Sequence, residues 1–237
     1  MLNMRGNKLT WLGHAAFRIT TPSGKVIVID PWIESNPMCP PDQKRFDRLD
    51  TMLITHGHFD HIADAVDLAK KFKPQVVGIF ETCLWLGSKG VENTSGMNKG
   101  GTQKAGEIEV TMTHAVHSCG ILDGDKVVYG GEACGYVVRL QGGLTIYHAG
   151  DTALFGDMKF IGELYEPHLV LLPIGDFYTM SPREASVAIR LLGAKHVLPM
   201  HFGTFPALTG RPERLRELTE DINGLEIHSL KPGETLG

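Results

Sequence analysis

Long apolar runs are absent from the 237-residue sequence, and none approaches the roughly 20 consecutive apolar residues that a membrane-spanning helix needs. The first residues, MLNMRGNKLTWLG, also lack the continuous apolar stretch of a secretory signal peptide. From these two absences we expect a cytoplasmic protein with no membrane partner.

An excess of positive charge is also missing, because 23 Lys and Arg stand against 27 Asp and Glu. Proteins that bind nucleic acid usually present a basic surface, so we expect no nucleic-acid partner. The four cysteines include no CxxC pair, which argues against a zinc ribbon or a redox motif. Reduced, mostly buried thiols are therefore expected.

The sequence is instead rich in turn residues and short apolar runs, with 28 Gly and 13 Pro. The runs LTWLG, AFRITT and KVIVID predict three consecutive antiparallel strands, and strands alternate with helices later in the chain. One of those helices is marked by a capping box from Ser181 to Glu184 and by Gly193 at its end. This order predicts one α/β (α+β) domain over residues 1–237, with helices outside the sheets.

Two irregular stretches, residues 31–48 and 93–103, are predicted to be loops that wall a substrate site. Aromatic and other large side chains complete the candidate wall, although such residues are more often part of a core. The candidates are Trp32, Phe46, Tyr178, Met180, Phe202, Phe205 and Arg211.

Reactive side chains are concentrated in the segment HGHFDH, residues 56–61, which directly follows the short apolar strand TMLIT. Three imidazoles and a carboxylate have no packing role at such a position and are too many ligands for one tetrahedral ion. The glycine between the first two histidines is expected to let the backbone turn tightly. The segment therefore predicts a metal site at a strand-to-helix junction.

This segment, the later HS, GDT and MHFG segments and WLGHAAF near the start resemble the metallo-β-lactamase superfamily along nearly the whole chain. The similarity is greatest to small metal-dependent hydrolases related to the ascorbate-phosphate lactonases. It implies a four-layer αββα sandwich with a metal site at one edge, between the sheets. The implied ligands are His56, His58 and His117 for one metal, Asp60, His61 and His201 for a second, and Asp151 bridging both.

The resemblance also implies hydrolysis by a hydroxide shared between two divalent metals, with a small lactone or ester, possibly phosphorylated, as substrate. Zinc or manganese is expected, although the ligand types do not choose among first-row metals and would also accept iron, cobalt or nickel. Asp60 is expected to act in catalysis besides binding metal. His14 is expected to contact substrate or to support a ligand, whereas Asp30 and His148 are assigned supporting or structural roles and His114 a structural one.

Other functions are left open by the sequence. A metal-dependent phosphodiesterase or nuclease is one alternative, although the acidic balance disfavours it. A diiron oxygen or nitric oxide reductase is another, disfavoured because His58 stands where such proteins carry an acidic residue. A non-catalytic metal-binding protein is a third. The segment VVYGGEACGYVV could belong to a core strand or to a homo-oligomer interface.

Overall fold

The computed structural model describes residues 2–237, which form two large sheets and six helices. The strands are β1 (Lys8–Gly13), β2 (Ala16–Thr20), β3 (Val26–Ile29), β4 (Thr51–Leu53), β5 (Gln75–Ile79), β6 (Thr94–Met97), β7 (Thr102–Ala105), β8 (Ile108–His114), β9 (Gly120–Asp123), β10 (Lys126–Tyr129), β11 (Cys134–Arg139), β12 (Thr145–His148), β13 (Leu169–Pro173), β14 (His196–Met200), β15 (Glu226–Ile227) and β16 (Thr235–Leu236). The helices are α1 (Phe59–Ile62), α2 (Ala65–Phe72), α3 (Phe80–Ser88), α4 (Met158–Tyr165), α5 (Pro182–Leu192) and α6 (Pro212–Glu217).

The first sheet contains seven strands in the order β16-β1-β2-β3-β4-β5-β6. Strands β1 to β3 are antiparallel neighbours, as the sequence predicts, and β3 to β6 are parallel to one another. Because parallel strands end at the same edge, the segments after β3 and β4 are brought side by side.

The second sheet also has seven strands, in the order β15-β14-β13-β12-β11-β8-β7. Strands β12 to β15 run parallel, and β11 joins β12 and β8 in antiparallel pairs. Strands β9 and β10 form a separate two-stranded sheet, a hairpin outside both large sheets.

Three buried clusters correspond to the three interfaces of a four-layer αββα sandwich. The central cluster joins the sheets and contains residues of both, including Trp11 and Phe17 of the first and Tyr136 and Leu198 of the second. A second cluster lies between the second sheet and helices α4 to α6, and a third between the first sheet and helices α1 to α3. The predicted fold class is therefore confirmed.

Local predictions were right where the sequence pattern was strong. Helix α5 begins with the predicted capping box, in which the Ser181 side chain accepts from the Glu184 backbone and the Glu184 carboxylate accepts from the Ser181 backbone. Its C-cap is Gly193, whose φ is +60°. All four cysteines are buried and free, as expected.

The predicted loop over residues 93–103 is wrong, because this segment supplies β6 to one sheet and part of β7 to the other. Both are edge strands with alternating or exposed side chains, so their sequence is as polar as that of a loop.

No helix in the part of the chain that the structure describes is long and apolar enough to span a membrane.

Candidate metal centre

The candidate ligands converge because each follows the end of a strand at one edge of the sandwich. His14 follows β1, Asp30 follows β3, and the segment 56–61 lies between β4 and α2. Asp151 and His201 follow β12 and β14 of the other sheet. The metal centre therefore lies between the two sheets, at the edge where these strands end.

The first group consists of three imidazoles. Nδ1 of His58 lies 3.0 Å from Nε2 of His56 and 3.3 Å from Nε2 of His117. Ser118 Oγ contacts the other His58 nitrogen at 3.1 Å, and Thr55 Oγ1 contacts Nδ1 of His56 at 3.1 Å. Those contacts occupy the outer nitrogens of His58 and His56, and the inner nitrogens of the three rings meet in a group that could hold a divalent metal.

The second group places Asp60, His61 and His201 together. Oδ2 of Asp60 is 3.9 Å from Nε2 of His61 and 3.8 Å from Nε2 of His201. Asp60 lies in the first turn of helix α1, whose N-cap is His58. The short helix therefore places the Asp60 carboxylate beside the imidazoles. Although burial opposes ionisation, His61 holds the pKa of Asp60 well below its usual range.

Asp151 lies between the two groups. Its Oδ2 is 2.9 Å from Nε2 of His201 and 3.2 Å from Nε2 of His61, in the second group. The same oxygen is 3.8 Å from His117 and 3.9 Å from His56, in the first. One carboxylate oxygen thus reaches donors of both groups, which is the arrangement expected of a bridging ligand.

Asp30 supports the ligands from behind. Its Oδ2 accepts from Nδ1 of His61 at 2.8 Å and from the Thr55 hydroxyl at 2.6 Å, and its Oδ1 accepts from the Thr55 backbone at 2.8 Å. With Nδ1 of His61 bonded to Asp30, its Nε2 is left to face Asp151. This geometry agrees with a supporting role for Asp30 in orienting His61.

His14 is completely buried and lies behind Asp60. Nε2 of His14 is 2.9 Å from Oδ2 of Asp60, and Nδ1 is 2.8 Å from Thr204 Oγ1. Burial, together with the nearby His201, lowers the pKa of His14 to about 4, so the imidazole is neutral near pH 7 and donates from Nε2 to the carboxylate. The geometry favours support of a ligand over the substrate contact that the sequence left open.

The two remaining histidines near the site have other partners. His148 is buried, its Nε2 donates to the Ala15 carbonyl at 3.2 Å, and its Nδ1 accepts from the Gly150 backbone at 3.1 Å. It therefore fixes the turn that leads to Asp151. His114 contacts Lys99 on the exposed side of β8, away from both ligand groups.

Gly57, between two candidate ligand histidines, serves a different purpose from the one expected. Its φ lies outside the left-handed region, so backbone freedom does not explain it. A Cβ at this position would overlap Cγ1 of Ile121, on strand β9 of the hairpin. The glycine is needed because the hairpin packs directly on the metal-binding segment.

The donors fit a metal. Within residues 2–237, the buried atoms without a hydrogen bond of acceptable geometry include Nε2 of His61, Nε2 of His201 and Oδ1 of Asp151, although both nitrogens lie close to Asp151 Oδ2. Leaving such atoms unbonded costs about 1–3 kcal/mol each, and a cation would satisfy them. Burial lowers the pKa of His61, but the carboxylates of Asp151, Asp30 and Asp60 outweigh burial and raise that pKa well above its usual value. The site therefore attracts positive charge.

A cavity of about 740 Å³ opens beside these ligands. It is lined by five candidate ligands, by Ser118 and by a group of mainly apolar residues. The latter are Phe59, Gly120, Leu122, Tyr178, Phe205, Pro206 and Ala207. The hairpin therefore supplies part of the wall, a contribution that the sequence did not predict.

Of the expected wall residues, Tyr178 and Phe205 line the cavity, and the others do not. Trp32 is buried and stacks behind Phe205, with ring centroids 5.7 Å apart. The remaining expected residues lie in or against the cores or bond to backbone carbonyls: Phe46, Met180, Phe202 and Arg211. Residues 31–48 thus do not form the surface of the wall, and Trp32 of this segment supports it from behind.

The two-sheet fold and a His/Asp donor cluster at its edge define a metal-dependent hydrolase of the β-lactamase superfamily. Residues 25–202 match the beta-lactamase superfamily domain. A UPF0173 metal-dependent hydrolase of Koribacter versatilis is 58% identical over 234 residues, which cover 99% of each chain. Another, of Solibacter usitatus, is 60% identical over 229 residues, 96% of this chain and 98% of the relative.

The same similarity is present in three dimensions. The structure of Igni18, described as a novel metallo hydrolase from Ignicoccus hospitalis, superposes with a TM-score of 0.85 at 36% identity and covers 97% of both chains. The protein described here belongs to the UPF0173 metal-dependent hydrolases, within the β-lactamase superfamily.

Proposed function

We propose that the chain, acting as a single domain, is a binuclear hydrolase that cleaves a small, uncharged ester or lactone with an apolar substituent. The proposal rests mainly on the cavity of about 740 Å³, which has candidate ligands on one side and Phe59, Leu122, Tyr178 and Phe205 on the other. An electrophilic carbonyl would face the metal centre while its substituent lay against the apolar wall.

The cavity lining argues against a phosphorylated substrate. Within the described part of the chain, no Lys or Arg lines this cavity, whereas a phosphate is usually held by such side chains. The same absence disfavours the phosphodiesterase and nuclease alternatives. Two carboxylates, Asp60 and Asp151, line the cavity and would repel an anionic group that no metal neutralised.

Two divalent ions, zinc or manganese by the donor set, would lower the pKa of bound water toward about 7 and polarise the carbonyl. His56, His58 and His117 would hold one ion, Asp60, His61 and His201 the other, and Asp151 would contact both. Ser118 and Asp30 fix the ring orientations of His58 and His61.

Asp60 has a second role in this proposal. It lines the cavity, and His14 holds its Oδ2 from the buried side. A carboxylate so placed can orient the attacking water and carry a proton to the departing alkoxide. Phe205, backed by Trp32, and Leu122 would exclude bulk water from the reacting carbonyl.

The test uses metal-free protein reloaded separately with zinc and with manganese. Turnover of p-nitrophenyl acetate and butyrate, γ-lactones, p-nitrophenyl phosphate, a phosphodiester and a chromogenic β-lactam is measured on samples of known metal content. We expect metal-dependent turnover of the esters or lactones and a higher kcat/KM for butyrate than for acetate.

The matched variants are His58→Gln, in the first ligand group, and His114→Gln, on the exposed side of β8. The first should lose metal and turnover together, and the second should behave as the unmodified protein. Preferred cleavage of the phosphate esters would refute the substrate class. Full metal loading without turnover of any compound would instead favour the non-catalytic alternative.

A further inference from the structure

A second group of metal-type side chains lies at the opposite end of strand β14 from the metal centre. His196 is the first residue of β14, whereas His201 directly follows its last. At about 3.3 Å per residue, the five-residue separation places the two histidines roughly 16 Å apart along the strand. The partners of His196 are Glu226 and His228, on and just after β15.

The strand register brings these three side chains together. His196 pairs with Glu226 in the parallel ladder of β14 and β15. The Glu226 backbone N–H donates to the Lys195 carbonyl at 2.8 Å, and that of His228 donates to the Val197 carbonyl at 2.8 Å. Since side chains two residues apart share a face of a strand, Glu226 and His228 both stand beside His196.

The ligand atoms are as close as those of a metal site. Nδ1 of His196 lies 3.2 Å from Nε2 of His228 and 3.4 Å from Oε2 of Glu226, and the remaining pair is 3.9 Å apart. Zinc bonds of about 2.0–2.1 Å in tetrahedral geometry separate neighbouring ligand atoms by roughly 3.3–3.4 Å. In the candidate metal centre, the two His58 contacts are of similar length, at 3.0 and 3.3 Å.

Burial and access also suit an ion. The side chains of His196 and His228 are only 17% and 16% exposed, and that of Glu226 is 45% exposed. The imidazoles are thus held in place, and the carboxylate is the most exposed of the three ligands. His196 also borders a cavity of about 820 Å³, which leaves room for a water as fourth ligand.

We propose that His196, Glu226 and His228 bind one divalent transition metal, zinc foremost, at a site separate from the metal centre. Two imidazoles and a carboxylate are a donor set that zinc accepts, with water in the fourth position. The ion would tie the two-residue strand β15 to β14 and so stabilise the edge of the second sheet. This structural role does not depend on any contribution of the ion to hydrolysis.

The experiment counts zinc bound by metal-free protein after equilibration and gel filtration, for the unmodified chain and for His228→Gln and His196→Gln. The control is His168→Gln, a histidine that borders the same cavity but contacts Arg5 and the Thr145 backbone. We expect each of the first two variants to bind one ion fewer than both the control and the unmodified protein, with ester turnover unchanged.

Cobalt provides a second readout that does not depend on activity. A four-coordinate site should contribute visible absorption in the unmodified protein that is absent from His228→Gln, and circular dichroism checks that each variant is folded. Zinc should also raise the Tm of His168→Gln more than that of His228→Gln. Equal zinc stoichiometry in folded His228→Gln, His196→Gln and unmodified protein would overturn the proposal, whatever the hydrolytic activity.

Discussion

Nε2 of His14 donates to Oδ2 of Asp60 at 2.9 Å, across a separation of 46 residues in sequence. His14 follows the first strand of the fold, and Asp60 lies on the short helix after the fourth, so the contact joins distant parts of the first sheet. Because Asp60 lines the cavity and His14 is fully buried, His14 acts on the site through Asp60.

Replacing His14 should therefore weaken metal binding and turnover together. His14→Asn keeps a residue that tolerates the φ of +57° but is too short to reach Asp60, and we expect metal affinity to fall about 10–100-fold. His14→Gln, which can still place a donor near the carboxylate, should recover part of the loss. The measurements are metal affinity and kcat at saturating metal; a fall in kcat with unchanged affinity would return His14 to a direct role.

Adding a methyl group at Gly57 should lower the free energy of unfolding. Gly57→Ala pushes its Cβ into Ile121, and overpacking of this kind costs about 1–3 kcal/mol. Ile121→Ala should be destabilising by itself, but the double variant should be more stable than the sum of the single effects predicts. Urea unfolding of all four proteins gives the coupling energy, and additive effects would contradict the contact.

Substrate preference should depend on Leu122 and not on its neighbour across the hairpin. Leu122 lines the cavity, whereas Val127, its cross-strand partner, is 77% exposed and does not. Butyrate carries two methylenes more than acetate, and each buried methylene contributes about 0.8 kcal/mol. Leu122→Ser should therefore lower the ratio of kcat/KM for p-nitrophenyl butyrate over acetate by up to about 15-fold. Val127→Ser should leave the ratio unchanged, and equal effects of the two changes would exclude Leu122 from the substrate wall.

The thiols should be inert in the folded protein. Burial raises the pKa of Cys39 and of Cys83 to about 11, so at pH 8 only about one thiol in a thousand is ionised at either position. A chromogenic disulfide reagent should react slowly with native protein at pH 8 and faster as the pH rises toward 11. All four cysteines should react at once in guanidinium chloride, and rapid native labelling would show an accessible thiol.

Much of the fold was readable from the sequence because its signals are local. The capping box of α5 is a matter of two side chains three residues apart, and the early strands have enough apolar residues to be recognised. The prediction for residues 94–97 was wrong because an edge strand needs few apolar residues, and because the pairing of this strand with β5 is a long-range contact. The run LEIHSL predicts the strand that contains β15, whereas β16, of two residues, carries too little pattern to be read.

The site divides in the same way. The candidate ligands and the supporting residue Asp30 could be named from the motifs and the resemblance, but Thr55 and Ser118 could not, because their contacts with His56 and His58 are set by the fold. Thr55 and Ser118 adjoin ligand histidines in sequence, which was the only local signal. For Gly57, the sequence suggested a tight turn of the backbone, whereas the reason for glycine is the Ile121 side chain, 64 positions later in the chain.

The hairpin of β9 and β10 forms a sheet of its own, yet it lines the cavity through Leu122 and touches the metal-binding segment through Ile121 at Gly57. If the cavity holds substrate as proposed, its hairpin residues could differ between relatives without any change in the contact between Ile121 and Gly57. Substrate preference could then change without any change in the metal ligands, and relatives with identical ligands could act on different compounds. Comparing hairpins would sort such relatives by substrate better than comparing their histidines.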